Sequence, residues 1–202
     1  MTQKLAPTSV PIDPVLAKRW STRAFDRDRD LNSTQILALI EAARWAPSCY
    51  GDQPWYFIFC HKTTHPESWQ RAWNTLNPFN QAWVEHAPLI IFSLARATFH
   101  HNEKPNRWSH YDTGAATENL CLQATAMHLA SHQMGGYDTD AVIQVFQVPK
   151  NHFPMAAIAI GYPKQADHLP TELQQSERQA RERHPIEQHF FMGEWGRGFQ
   201  AV

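Results

Sequence analysis

The amino-acid sequence predicts an α+β protein in which helices layer a mixed sheet. Short runs of aromatic and β-branched residues alternate with longer segments whose apolar residues recur at helical spacing. This alternation lacks the regular βαβ spacing that is typical of parallel sheets. With 202 residues, of which 43% are hydrophobic, the chain has the material for one sizeable core, and we expect a single domain over residues 1–202.

Five segments show helix signals. Residues 15–18 are predicted to end a short helix that follows several prolines. A second helix is capped by Asn-Ser-Thr at residues 32–34 and continues at helical spacing to the next proline. Small and apolar residues over 112–131 lie close to a 3.6-residue period, which predicts a helix buried on most sides. Further helices are predicted over 138–146 and 172–183.

Three short runs predict buried strands, over residues 55–60, 89–94 and 156–160. They are too short for helices of usual length, and the first two are rich in aromatic and β-branched residues. The segments 61–87 and 98–110 are then the candidates for variable insertions beside the core.

Composition argues against several classes of protein. The chain has 18 Lys+Arg against 19 Asp+Glu and no long basic run, so we expect no nucleic-acid partner. Its cysteines, Cys49, Cys60 and Cys121, are odd in number and form no C-x-x-C pair, which fits a reducing cytoplasm. No signal-peptide pattern and no membrane span of about 20 apolar residues is found. The 12 histidines form no metal-binding motif, so no metal site is expected.

The first candidate site is the segment Arg19-Trp20-Ser21-Thr22-Arg23. If it is extended, its period of two places Arg19, Ser21 and Arg23 on one side. Two guanidinium groups around a hydroxyl suit a phosphate. The alternative is a solvated surface strand whose arginines pair with the aspartates at residues 26, 28 and 30.

The segment 46–55 reads Ala-Pro-Ser-Cys-Tyr-Gly-Asp-Gln-Pro-Trp and joins a predicted helix to a predicted strand. Its composition is that of a tight connector. Loops at such junctions also present backbone groups to ligands. From the residues alone, both interpretations remain open.

The C-terminal tail, residues 186–202, combines bulky apolar side chains with glycines. The apolar residues are Phe190, Phe191, Met192, Trp195 and Phe199. They are too few to form a core of their own and must pack on a surface that is already folded. A partner subunit is the natural candidate.

Five motifs occur in the order found in the FMN-dependent nitroreductase family, which the chain resembles from residue 19 to residue 195. They are Arg19-x-Ser21-x-Arg23, the loop 46–55, Tyr111-Asp112-Thr113-Gly114, Gly135-Gly136-Tyr137-Asp138 and Ile160-Gly161-Tyr162-Pro163. No single motif is specific, but five in register are. The resemblance implies a nitroreductase-like fold with a mainly antiparallel sheet, and a homodimer with FMN at the subunit interface.

The resemblance also assigns residues to the cofactor. Arg19 and Ser21 are expected at the FMN phosphate, and Arg23 near flavin N1 and the C2 carbonyl. A cation there stabilises the negative charge of the reduced ring. The late pair before a proline is expected to return to the phosphate. The expected cofactor-binding residues are Arg19, Trp20, Ser21, Arg23, Pro47, Ser48, Cys49, Gly51, Asn80, Gly135, Gly136, Arg181 and Arg183.

One position departs from the family pattern. Gly51 stands where the family has asparagine, so the hydrogen bond of that side chain is lost. Contacts from Pro47, Ser48 and the backbone near Cys49 can remain, in the family often across the dimer interface.

Other assignments have local alternatives. Asn80 matches an asparagine that reaches the pyrimidine edge of the flavin, or it caps a turn. Gly135 and Gly136 match a turn whose amides face flavin N5, or they form an ordinary glycine turn. The late arginine pair reaches the phosphate, or it lies on a solvated helix face beside Glu177 and Glu182.

The implied activity is that of an oxidoreductase. NADH or NADPH delivers hydride to FMN N5, and a small electron-poor acceptor such as a nitroaromatic or quinone is reduced in a ping-pong sequence, with no catalytic side chain. The chain has no Rossmann glycine fingerprint, so the nicotinamide is expected to bind transiently. The alternatives are a flavin-binding module or structural dimer without turnover, or another flavin reaction such as dehydrogenation or reductive dehalogenation.

Overall fold

The computed structural model describes residues 4–199 of the chain. Its helices are α1 Pro14–Lys18, α2 Ser33–Arg44, α3 Pro66–Asn74, α4 Pro78–Val84, α5 Ser109–Ala126, α6 Thr139–Val145 and α7 Thr171–Arg178. Its strands are β1 Trp55–His61, β2 Leu89–Arg96, β3 Ala130–Met134 and β4 His152–Gly161. Among the helices of this part of the chain, none has the length and apolar composition needed to span a bilayer.

The four strands form one sheet in the order β1-β2-β4-β3. Ile91 in β2 lies opposite Phe59 of β1 and Ile158 of β4. All neighbouring strands within residues 4–199 are antiparallel, so the α+β class is confirmed but the expectation of a mixed sheet is wrong. The connection between β1 and β2 shows the reason. His61 ends β1 opposite Leu89, which begins β2, so the chain re-enters the sheet at the end where it left and the two strands run antiparallel.

The core lies on both faces of the sheet. Strand β2 is buried over nearly its whole length, and its alternate side chains point to opposite faces. One face packs against α3 and α4 through Ile90, Phe92, Trp69 and Trp83. The other packs against α2 and α5 through Leu89, Ile91, Leu39 and Leu120. Each such side chain, when fully buried, contributes roughly 1.5–3 kcal/mol to folding.

Several predicted elements lie close to their observed positions, namely α1, α2, α6, β1, β2 and β4. Helix α2 begins where a capping box satisfies the first backbone donors. The Asn32 side chain accepts from Gln35 N at 2.9 Å, and Gln35 Oε1 accepts from Asn32 N at 3.1 Å. Helix α6 begins where the Asp138 carboxylate accepts from Ala141 N at 2.9 Å.

The predicted helix over 112–131 is wrong at its C-terminal end. Helix α5 begins at Ser109 and ends at Ala126, and the chain then turns at His128, whose φ is 59°. Residues 130–134 form β3 instead, because they pair with β4. Their sequence, Ala-Ser-His-Gln-Met, has few strand-forming residues, so tertiary pairing outweighs local propensity there.

Two further expectations are corrected. Helix α7 ends at Arg178 instead of residue 183, because Gln179 is extended with ψ 143°. The segment 61–87, expected as a variable insertion, contains α3 and α4, and the buried Trp69 and Trp83 anchor these helices on the sheet. It is therefore part of the core.

Candidate functional site

The Arg-Ser-Arg segment leaves the end of α1 in an extended conformation. Arg19 has φ −60° and ψ 124°. Thr22 and Ala24 are buried, whereas Ser21 and Arg23 are only half-buried, as the period of two predicts. The segment therefore presents its arginines and its serine away from the core.

The buried side of this segment is held by Glu177 of α7. The Glu177 carboxylate accepts from Thr22 Oγ1 at 2.7 Å and from Arg23 N at 2.9 Å. Arg23 Nη1 lies 3.9 Å from Glu177 Oε1 and 3.4 Å from Ser176 Oγ. Arg23 Nε is buried and has no hydrogen-bond partner within the described residues. A buried donor of this kind is costly unless an acceptor is supplied from outside the chain.

Arg19 and the late arginine pair lie near one another. Arg19 Nε is 3.5 Å from a carboxylate oxygen of Glu118 on α5. Arg181 Nη1 donates to the carbonyls of Lys4 and Ala17 at 3.0 and 2.7 Å. Burial lowers the pKa of Arg181, and the positive charges of Arg19 and then Arg183 lower it further. Several guanidinium groups thus converge, as an anion site requires.

The observed contacts differ from the first alternative for these arginines and agree in part with the second. Asp26 and Asp28 pair with Lys164 at 2.9 and 3.3 Å, and Asp30 pairs with His61 at 2.7 Å, so these aspartates are engaged elsewhere. The late pair follows the end of α7 instead of lying on a helix face. Arg183 is exposed, and its Nη1 donates to the carbonyl of Glu182 at 2.7 Å.

Asn80 and the glycine turn meet beside the arginine segment. Asn80 Nδ2 donates to Gly136 O at 3.0 Å, while Asn77, not Asn80, caps α4. A Cβ on Gly136 would overlap with Asn77 Nδ2 and come within 2.6 Å of Asn80 Nδ2, whereas one on Gly135 would meet open space. Phe79 joins the two parts of the site, because the Arg23 guanidinium lies 5.5 Å from its ring centroid.

The loop with Pro47, Ser48, Cys49 and Gly51 is held against α5. Cys49 N donates to a carboxylate oxygen of Asp112 at 3.0 Å, and Ser48 Oγ accepts from Gln53 N at 3.0 Å. Gly51 has φ 67°, a left-handed conformation that glycine and asparagine both adopt readily. Gly51 therefore adopts a backbone conformation that an asparagine also accommodates, but it lacks the side chain of that residue.

No hydrogen bond within residues 4–199 joins this loop to the arginine segment. Within residues 4–199, the side chains that bind the loop and those that bind the arginine segment are different. Both groups attach to α5, the loop at Asp112 and Arg19 at Glu118. These carboxylates are six positions apart, which is roughly 9 Å along a helix axis.

A cavity of about 550 Å³ adjoins the arginine segment on the side of Trp20 and Thr22. Arg19 and Glu177 also line it, and Lys4 Nζ lies 4.5 Å from the Trp20 ring centroid. Of the expected cofactor-binding residues, only Arg19 and Trp20 line this cavity, so the cavity does not coincide with the expected FMN site.

Sequence reasoning missed two residues that organise this site, Glu177 and His132. His132 of β3 is buried, shares a hydrogen bond between its Nδ1 and Thr22 O at 3.0 Å, and packs 4.6 Å from the Trp83 ring. Burial lowers its pKa to about 4. Neither residue belongs to a local motif, and both reach the segment from elements that are distant in sequence.

Known proteins share this fold and sequence pattern. A solved structure described as an oxidoreductase containing FMN is 32% identical, with a TM-score of 0.87, covering 94% of this chain and 95% of that one. A "Putative NADH dehydrogenase/NAD(P)H nitroreductase" of Archaeoglobus fulgidus is 27% identical over 72% of this chain and 82% of its own length. A "Putative NAD(P)H nitroreductase" of Staphylococcus haemolyticus is 24% identical over 73% and 86%. The profile of the nitroreductase family matches residues 16–162, and the chain belongs to that family.

Proposed function

We propose that this protein is an FMN-dependent oxidoreductase that takes electrons from NADH or NADPH and reduces small electron-poor acceptors such as nitroaromatics or quinones. The observation that carries the proposal is Arg23, whose buried Nε has no acceptor within the described residues although Arg23 N and Nη1 lie beside Glu177. The FMN-containing structure that is 32% identical supports the choice of cofactor.

The residues present fit the parts of FMN. Arg19, Ser21, Arg181 and Arg183 would hold the phosphate, because guanidinium forks and a hydroxyl donate to its oxygens. Arg23 would donate through Nε to the N1 and C2 carbonyl edge of the ring. Trp20 and the glycine turn would complete the surroundings of the cofactor.

Asn80 would contact the pyrimidine edge of the ring. Its Nδ2 is already committed to Gly136 O, which fixes the amide group. Its Oδ1 accepts no hydrogen bond within residues 4–199 and would receive one from a ring N–H.

FMN, when bound, supplies hydride acceptance at N5 and electron transfer to the second substrate. The chain contributes position and charge. Arg23 provides a fixed cation where negative charge develops on reduction, which favours the reduced form. No side chain is proposed as an indispensable acid or base.

We also propose that the active form is a homodimer. Within residues 4–199 the loop 47–51 shares no hydrogen bond with the arginine segment of the same chain, which supports the supply of such a loop by a second copy. Large apolar side chains are exposed near the loop and in the tail: Trp45 is 75% exposed, Tyr50 85% and Trp195 92%. Patches of this kind mark interaction surfaces. Sedimentation showing a single chain at micromolar concentration would contradict the proposal.

The proposed function is tested by cofactor selectivity. The purified protein should bind one FMN per chain and prefer it to riboflavin, which lacks the phosphate. Arg19→Ala should weaken FMN binding roughly tenfold to a hundredfold, since a charged hydrogen bond contributes about 1.5–3 kcal/mol. Arg71→Ala, at an exposed arginine of α3, is the matched control and should leave affinity unchanged.

Turnover is tested separately. Anaerobic NADH or NADPH should bleach the yellow protein, and a nitroaromatic or quinone should restore its colour. Equal affinity for FMN and riboflavin would refute the phosphate assignment. A yellow protein that neither donor bleaches would instead be a flavin-binding module without this activity.

A further inference from the structure

We infer that Glu177 is a positioning residue that sets the reduction potential of the bound cofactor by acting through Arg23. The inference rests on the proposed FMN site. Glu177 lies on α7, is 8% exposed, and bonds with both carboxylate oxygens to the arginine segment, through Thr22 Oγ1 and Arg23 N.

No carboxylate is among the expected cofactor-binding residues, yet the Glu177 carboxylate faces Arg23. A buried carboxylate is costly unless cations and hydrogen bonds compensate it. Arg23 Nη1 lies 3.9 Å from Glu177 Oε1, and the positive charge of Lys4 also lies close enough to interact. Lys4 Nζ itself donates to the carbonyl of Glu177 at 2.8 Å.

Two nitrogens of the Arg23 guanidinium therefore differ in their hydrogen-bond partners. Nη1 is beside the Glu177 carboxylate and the Ser176 hydroxyl, whereas Nε is buried and unpartnered within the described residues. Under the proposed function, this unpartnered donor is the one that would bind the cofactor. The carboxylate reduces the positive potential that this cofactor experiences, because opposite charges a few ångströms apart largely cancel at a distance.

This partial cancellation has a redox consequence. Reduction places negative charge on the ring, so a full cation at Arg23 would bind the reduced form selectively. Glu177 weakens that selectivity and keeps the midpoint potential lower than Arg23 alone would set it. A lower potential makes the reduced cofactor a stronger electron donor, which suits acceptors that are difficult to reduce.

The test is the midpoint potential of the FMN-loaded dimer or monomer, measured by anaerobic spectroelectrochemistry. Glu177→Gln removes the charge and keeps an oxygen that can accept from Arg23 N. It should tighten reduced relative to oxidised FMN by roughly three- to tenfold, a rise of about 15–30 mV. Arg23→Ala should shift the potential in the opposite direction, and the effect of Glu177→Gln should shrink in the Arg23→Ala background.

Glu172 provides the control and Ser176 a second variant. Glu172→Gln removes an exposed carboxylate from the same helix and should leave the potential unchanged. If Glu177→Gln does not fold, Ser176→Asp adds a carboxylate at the same guanidinium and should lower the potential.

The outcomes separate the two proposals. An unchanged potential in Glu177→Gln, or in Ser176→Asp where that variant replaces it, overturns the role of Glu177 while FMN binding still supports the proposed function. A protein that takes up no FMN overturns the proposed function and the inference together.

Discussion

The buried imidazole of His132 should make the fold sensitive to moderate acid. Burial lowers the pKa of His132 from 6.5 to about 4, so the folded protein binds fewer protons than the unfolded chain between these values. Its contribution to stability is complete above pH 6.5 and is lost as the pH falls towards 4. Each pH unit in this window costs about 1.4 kcal/mol, which gives about 2 kcal/mol between pH 7 and pH 5.

Urea unfolding of the wild type and of His132→Asn measures this effect. An asparagine amide can still donate to Thr22 O but does not titrate in this range. The variant will be less stable at pH 7 because it lacks the imidazole ring that packs on Trp83. On going to pH 5, however, it should lose about 2 kcal/mol less stability than the wild type.

Each protein is assessed by the change in its unfolding free energy between pH 7 and pH 5. When the variant is compared with the wild type in this way, the contribution of the other titratable groups cancels. The control is His128→Asn, at an exposed histidine whose φ of 59° asparagine also accommodates. This control should follow the wild-type pH profile. Parallel profiles for wild type and His132→Asn between pH 7 and pH 5 would refute the reasoning.

Two further predictions concern the glycine turn and the tail. Gly136→Ala places a methyl group against Asn77 and 2.6 Å from Asn80 Nδ2, so it should lower unfolding free energy by about 1–3 kcal/mol and weaken FMN binding. Gly135→Ala, whose methyl group meets no protein atom, should leave the unfolding free energy unchanged in urea unfolding, and an equal loss of stability in the two variants would contradict this packing argument. Truncation after Pro185 removes the exposed aromatic residues of the tail and should weaken the dimer roughly tenfold or more in sedimentation equilibrium, whereas an equally tight dimer would exclude the tail from the interface.

The sequence predicts the boundary of a helix where contacts between neighbouring residues determine that boundary. Asn32 and Gln35 cap α2 through contacts three residues apart, so this boundary could be predicted from a short window. Strand β3 could not, because its residues favour no strand by themselves and acquire that conformation by pairing with β4. A helical period that continues past Ala126 cannot reveal a turn made at His128.

The same distinction applies to the site. The alternation around Arg23 follows from the period of two, and the structure shows it. Glu177 and His132 reach Thr22 from positions 155 and 110 residues away, and no local pattern indicates that they meet there. The capping role considered for Asn80 belongs to Asn77, because two asparagines lie within one turn and local sequence does not distinguish them.

The long separation between Thr22 and Glu177 also determines the order in which the chain can assemble during synthesis. Strand β4 ends at Gly161, so a nascent chain can complete the sheet before α7 has left the ribosome. The arginine segment is then held at Thr22 O by His132, but the Glu177 contacts to Thr22 Oγ1 and Arg23 N form only after α7 emerges, and those of Arg181 follow. Closing a loop of this length carries a larger entropic cost than pairing the strands of the sheet, whose partners are closer together in sequence. A ligand that binds only the closed arrangement stabilises the finished chain selectively, so cofactor uptake would distinguish complete molecules from those interrupted before α7.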